Sequence, residues 1–225
     1  MFVYSLSGLE LKDSGDQGPV EIEENETTAR SATYQVLGRL FGEPDADHYE
    51  MARSGQWAKE LATAGELLTF TFEPGDAAIP DDMGPDEYAA AFAHVLGGER
   101  AGAPVLCAAA WVEDAAHNHD EVVRFYEYFG LQAAGTERPV DHLVTECDFM
   151  QYITFREAAA PSPRLGKSYR RAQLDFHDRQ FSLWVPELAA HVKDAATVDF
   201  FAWAAGVLAD FTAADREHVA GLLGA

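Results

Sequence analysis

The chain has 225 residues, long enough for one good core and compatible with one domain or two. Hydrophobic residues make up 48% and aromatics 12%, which excludes disorder of the whole, and no apolar run approaches the roughly 18 residues that cross a membrane. Asp plus Glu number 38 against 16 Lys plus Arg, and the net charge of −22 disfavours nucleic acid and anionic lipid while favouring a basic ligand such as an arginine-bearing peptide.

The same acidity also suits solubility in a salt-rich cytoplasm, because only Lys12, Lys59, Lys167 and Lys193 represent lysine. In ~1 M salt the Debye length falls to about 3 Å, so a basic partner would then be recognised at contact range only. The first residues, Met1 to Leu6, lack the basic and apolar regions of a signal peptide, so a cytoplasmic location is expected. Cys107 and Cys147 each sit in an apolar helical pattern, outside any disulfide or zinc spacing, and read as packing residues.

In chain order, residues 1–24 read as a poorly ordered acidic lead-in without a period that could bury a face. A single all-helical domain is expected over 25–225. Asn25 is placed to cap a helix carrying Tyr34, Leu37, Leu40 and Phe41, which Gly42 and Pro44 end. A short helix around Tyr49 and a second region from Trp57 to Leu68 follow. Residues 73–85 hold three prolines and two glycines, a long loop, and Pro85 suits the first turn of the next helix, with Tyr88, Phe92 and Val95.

A second loop, 97–104, precedes an Ala-rich helix expected to end beyond Trp111. Val122, Phe125, Tyr126 and Phe129 form one apolar stripe at i, i+3, i+4 and i+7. After the linker 133–138, Leu143, Cys147, Met150 and Ile153 repeat that spacing. Three more helices are expected around 172–184, 186–195 and 198–223, the last broken near Thr212–Asp215. No window alternates like a strand over more than about four residues, and the fold class is all-α.

Phosphate-loop, dinucleotide, nucleophile-elbow and zinc-protease motifs are absent, and no catalytic residue, metal site or cofactor is expected. His117 and His119 stand at i and i+2, about 200° apart on a helix, and cannot chelate one ion. Asp175, His177 and Asp178, among Arg170, Arg171 and Arg179, read as an exposed ion-paired face. Asp141 and His142 follow Pro139 at a helix start, where Asp141 could cap the helix, with His142 and Glu146 at i and i+4. These fit either a capped helix with a surface His–Glu pair or a polar clamp for a ligand. Spacing alone does not choose between them.

The stretch PVDHLVTECDFMQYI at 139–153 resembles the signature of the TorD/DmsD/NarJ chaperones of molybdenum-cofactor oxidoreductases. EVVRFYEYFGL at 121–131 is similar to the helix before their hinge, and TYQVLGRLF at 33–41 and EYAAAF at 87–92 match in type and order. The resemblance spans roughly residues 28–212 and departs in two places. Cys147 stands where Leu is common, and GERAGAPVLC at 98–107 replaces a proline- and aromatic-containing segment.

The resemblance implies a compact bundle of about ten helices, with a hinge loop before residue 141. It implies a non-enzymatic assembly chaperone whose partner is the apo catalytic subunit of a DMSO reductase-superfamily enzyme, held for molybdenum-cofactor insertion, and that subunit's twin-arginine signal peptide. The similarity is greatest to the branch serving nitrate, selenate, chlorate, dimethylsulfide and ethylbenzene oxidoreductases. Pro139, Asp141 and His142 would then line the client-binding region, with Glu146 adding charge for client arginines. The hinge would permit a monomer or a domain-swapped dimer. A helical interaction module without an unfolded client and a metal-dependent hydrolase are the other readings.

Overall fold

Asn25 opens the first helix as expected: its side chain accepts the backbone N–H groups of Thr27 and Thr28, and Thr28 Oγ1 accepts that of Asn25 at 2.8 Å. Four otherwise unsatisfied helix-end groups make such a reciprocal cap worth about 1 kcal/mol. The computed structural model describes residues 9–12, 23–135 and 138–224. Helix α1 spans Glu26–Leu40, followed by α2 (Ala46–Arg53), α3 (Gln56–Gly65) and, after a long loop, α4 (Pro85–Val95) with Pro85 in its first turn.

A two-residue hairpin, Glu99–Arg100 with Ala103–Pro104, fills the next loop. The Ala-rich helix expected to end beyond Trp111 is only a 3-10 turn, Ala108–Ala110. Its amide groups are claimed instead by Asp141: Ala108 N–H donates to the Asp141 carbonyl at 3.0 Å and Ala109 N–H to its carboxylate at 2.9 Å. Helix α5 (Ala115–Tyr128) starts earlier than the apolar stripe because Asp114 caps it through His117 N–H.

Residues 9–11 contradict the expectation that the lead-in buries nothing. They pair antiparallel with Leu131–Ala133, and Leu9 is 2% exposed. The rest of that lead-in, apart from residues 12, 23 and 24, lies outside the described residues.

Helix α6 (Leu143–Ala158) is the axis of the molecule, and almost every side chain from Leu143 to Phe155 is buried. A helix buried all round needs neighbours on every side, and α1 packs along it most extensively, with α7 (Pro163–Phe176) next. Close approach of α1 rests on Gly38: a Cβ there would lie 3.3 Å from Cys147 Cβ. Helix α7 begins well before Ala172 because Ser162 caps it and Pro163 occupies its first turn.

A π-helical turn, His177–Phe181, joins α7 to α8 (Ser182–Ala195), so the chain stays helical through Pro186 where a boundary was expected. Helix α9 (Asp199–Leu223) is unbroken. The polar residues expected to interrupt it have internal partners: Thr212 Oγ1 donates to the Leu208 carbonyl, and Asp215 meets Arg30 in the core. Among the described residues the all-α bundle is borne out with fewer helices than the ten expected, nine α-helices or eight with the continuous α7–α8 taken as one, and none is long and apolar enough to cross a membrane.

Candidate functional site

Pro139, Asp141, His142 and Glu146 were expected to carry the site, and the local structure around them is a sewn junction. Leu143 N–H donates to the Leu106 carbonyl at 2.8 Å, and Cys107 bridges His142 antiparallel. Tyr126 hydroxyl donates to the Val140 carbonyl at 2.9 Å, and Thr145 hydroxyl to that of Pro139 at 3.3 Å. The segment before α6 is therefore held to residues 106–109, which lead into the 3-10 turn, and to α5 at once.

The four expected site residues separate within this junction. Pro139 is exposed and His142 half-buried. Asp141 is buried, and its carboxylate caps the 3-10 turn rather than α6. The cap of α6 is His142, whose Nδ1 accepts Val144 N–H at 3.2 Å. An accepting Nδ1 puts the ring proton on Nε2. Burial, then nearby Arg138, lowers the His142 pKa to about 4, so the ring is neutral near pH 7.

Glu146 corrects the expected surface pair. Its side chain is completely buried, and Trp184 of α8 donates its indole N–H to Glu146 Oε2 at 3.2 Å. Burial, with Asp141 nearby, pushes its pKa well above the ordinary carboxyl range despite that hydrogen bond. A carboxyl held neutral in the core supplies no charge to an arginine, so Glu146 joins α6 to α8. The two thiols are equally internal: burial and neighbouring carboxylates raise Cys107 to about 12 and Cys147 well above its usual value.

Charge for a basic partner lies across a cleft of about 370 Å³ between α1, the α1–α2 turn and the 138–148 segment. Glu43, Asp45, Asp47 and Asp148 line it against Arg39 and Arg138, with Trp57, Met51 and Val144 as apolar wall. Arg39 is engaged by Glu60 at 2.8 Å and lies 5.2 Å over the Trp57 ring. Glu43, Asp45 and Asp47 are exposed, and the Asp45 side chain also caps α2 through His48 N–H. The sequence signal for this wall was an acidic run, Glu43 to Asp47, directly after a helix stop. That cluster has no helical or strand period, so nothing local marks it as a wall facing the signature stretch.

The other singled-out polar residues are dispersed. His117 pairs with Glu121 at 3.8 Å on the surface, whereas Asn118 between the two histidines is buried and donates to Gln180. Asp178 pairs with Arg216 and Arg179 with Glu121 on the surface, but His177, expected beside them, is buried against Asp215. Among the described residues no three His, Cys, Asp or Glu side chains are placed to hold a metal ion.

Residues 55–190 match the nitrate reductase delta subunit family, more than half of the chain. The selenate reductase assembly chaperone protein of Thauera selenatis is 29% identical over 201 residues, covering 85% of this chain and 90% of that protein. Two shorter matches are the perchlorate reductase assembly chaperone protein of Dechloromonas aromatica (strain RCB), 37% identical over 84 residues, and the chlorate reductase assembly chaperone protein of Ideonella dechloratans, 33% over 79. They cover 36% and 34% of this chain, and 37% and 41% of those proteins. With the family match over more than half of the chain and the selenate reductase chaperone aligned along nearly its whole length, this protein belongs to the nitrate reductase delta subunit family of NarJ/TorD-type chaperones.

Proposed function

We propose that this chain is an assembly chaperone that binds the apo catalytic subunit of a DMSO reductase-superfamily molybdoenzyme and holds it for cofactor insertion. The cleft beside the signature segment would receive a basic stretch of that client, including a twin-arginine signal where the client has one. The observation that carries the reading is the placement of exposed Glu43, Asp45 and Asp47 around an apolar-walled cleft bounded by residues 138–148. Arginine pairs with carboxylates through two parallel hydrogen bonds, and Trp57 and Met51 offer surface to the apolar residues of such a segment. The names of the three relatives, assembly chaperones of selenate, perchlorate and chlorate reductases, support the same client class.

Of the four signature residues, Pro139 and His142 keep surface for direct contact. Asp141 and Glu146 would act on the client only by fixing the junction that shapes the cleft. Affinity purification of the tagged chain from its host tests the proposal. A molybdoenzyme catalytic subunit should co-purify, and Glu43→Gln with Asp47→Asn should reduce its recovery without lowering the melting temperature. Failure to recover any such subunit with the unaltered chain would overturn the chaperone reading. Unchanged recovery with the double variant would remove the cleft from it.

A further inference from the structure

A groove apart from the acidic cleft is lined by more arginines than carboxylates. Helices α5, α6 and α7 enclose an open cavity of about 760 Å³, far from the acidic cleft in its residues and sharing none of them. Four of the chain's arginines, Arg124, Arg156, Arg171 and Arg179, line it, against two carboxylates, Glu121 and Asp175. The floor is apolar. Phe129 stacks on Tyr169 with centroids 5.7 Å apart, Leu165 is 38% exposed and Tyr128 is 83% exposed.

The arginines divide by what already holds them. Arg179 pairs with Glu121 at 2.9 Å, which neutralises both. Arg156 donates to the Tyr152 hydroxyl and lies 5.6 Å over the Tyr169 ring, so it is positioned but keeps its charge. Arg124 and Arg171 are exposed on two different helices and enter no ion pair or hydrogen bond among the described residues. Two spaced cations over exposed aromatic and aliphatic surface, on a chain of net charge −22, are unexplained by solubility.

We propose that this groove binds an acidic peptide segment bearing large apolar side chains, its carboxylates meeting Arg124 and Arg171 and its apolar face lying on Leu165, Tyr128 and Phe129. Charge complementarity selects the sign of the occupant, and the floor selects a chain with side chains to bury. A phosphate-dense ligand fits less well, because it has no apolar side chains to lay on Leu165, Phe129 and Tyr169. The inference does not depend on which protein is the client at the acidic cleft.

Fluorescence anisotropy of the full chain tests it, with a labelled peptide of glutamates carrying leucine and phenylalanine at i, i+4 spacing and a second peptide with every glutamate replaced by lysine. Measurements belong at about 0.15 M salt, where the Debye length of about 8 Å removes long-range repulsion by the rest of the surface. The acidic peptide should bind. Arg124→Glu with Arg171→Glu should weaken it about tenfold or more, as two exposed attractions become repulsions. Leu165→Ser should weaken it as well, while binding of the lysine peptide is not reduced by either change. Should the charge-reversed protein melt lower, Arg124→Gln with Arg171→Gln repeats the comparison.

No binding of the acidic peptide, or equal binding by the variants, overturns the proposal. So does displacement by sodium triphosphate as effective as by unlabelled peptide, which would make the groove a phosphate site. A dimer of the unaltered chain that the charge reversal dissolves would assign the groove to a second copy and overturn it too.

Discussion

Arg30 of α1 and Asp215 of α9, 185 positions apart in sequence, form an ion pair whose side chains are 1% and 0% exposed. Gln173 accepts a second Arg30 N–H, Tyr34 donates its hydroxyl to Asp215 at 2.7 Å, and His177 Nε2 lies 3.1 Å from the same carboxylate. Glu157 of α6 lies 3.5 Å from the guanidinium and accepts from Gln173 at 2.7 Å. One polar cluster thus fixes α1, α6, α7 and α9 relative to one another.

Removing one partner of such a pair strands the other in a dry interior. Asp215→Asn is expected to lower unfolding free energy by about 3–5 kcal/mol, and Arg30→Met with Asp215→Leu by less than the single change. Urea unfolding of the three proteins checks this, and a double variant worse than the single one would contradict it. Burial alone would raise the Asp215 pKa, but Arg30 and the His177 hydrogen bond hold it well below the carboxylate range. Its stabilising contribution is therefore complete at neutral pH and is lost as pH falls below about 4.

Glu146 has the opposite sign. Its folded pKa lies above the unfolded one, so the fold is favoured by protonation and loses that contribution as pH rises through the folded value. Glu146→Gln keeps the shape and can still accept the Trp184 indole N–H. The variant should melt higher than the parent at pH 8, with the gain shrinking toward pH 4. A variant that melts lower at both values would show that the carboxyl is ionised in the core.

Helices with local punctuation were legible: Asn25 caps, Pro85 opens, and the stripe Leu143–Cys147–Met150–Ile153 has one period. Polar residues in the interior were not. Asp215 looks like a helix break, and His177 like surface, until Arg30 and Tyr34 meet the Asp215 carboxylate through contacts that no local pattern encodes. The candidate site was half legible for the same reason. The signature stretch was found, but Asp141 and Glu146 have their partners, Ala109 and Trp184, on other elements. The acidic wall from Glu43 to Asp47 contributes nothing periodic, and only the packing of α1 on α6 sets it opposite residues 138–148.

That packing depends on Gly38. Substitution by Ala gains helix propensity of up to about 1 kcal/mol but places a methyl 3.3 Å from Cys147 Cβ, so the two effects oppose and a small net change is expected. Gly38→Leu cannot be relieved by so small a shift and should lose about 1–3 kcal/mol, as overpacked cores do. It would also reshape the cleft that Gly38 lines. Denaturant midpoints for the pair decide it: equal stability of the Leu variant and the parent would mean that α1 and α6 are not held at this spacing.

His142 offers a pH test of the junction itself. As the cap of α6 it must keep Nδ1 unprotonated, and its folded pKa of about 4 lies below the unfolded value of about 6.5. Between those values the unfolded chain binds more protons, so stability falls as pH drops from about 6.5 toward about 4. His142→Asn retains a good capping acceptor without a titrating ring. Melting temperatures of parent and variant should agree near pH 7.5 and diverge in that window, the variant falling less. Parallel curves would mean that His142 is free to protonate in the folded protein, and that the junction before α6 opens at little cost.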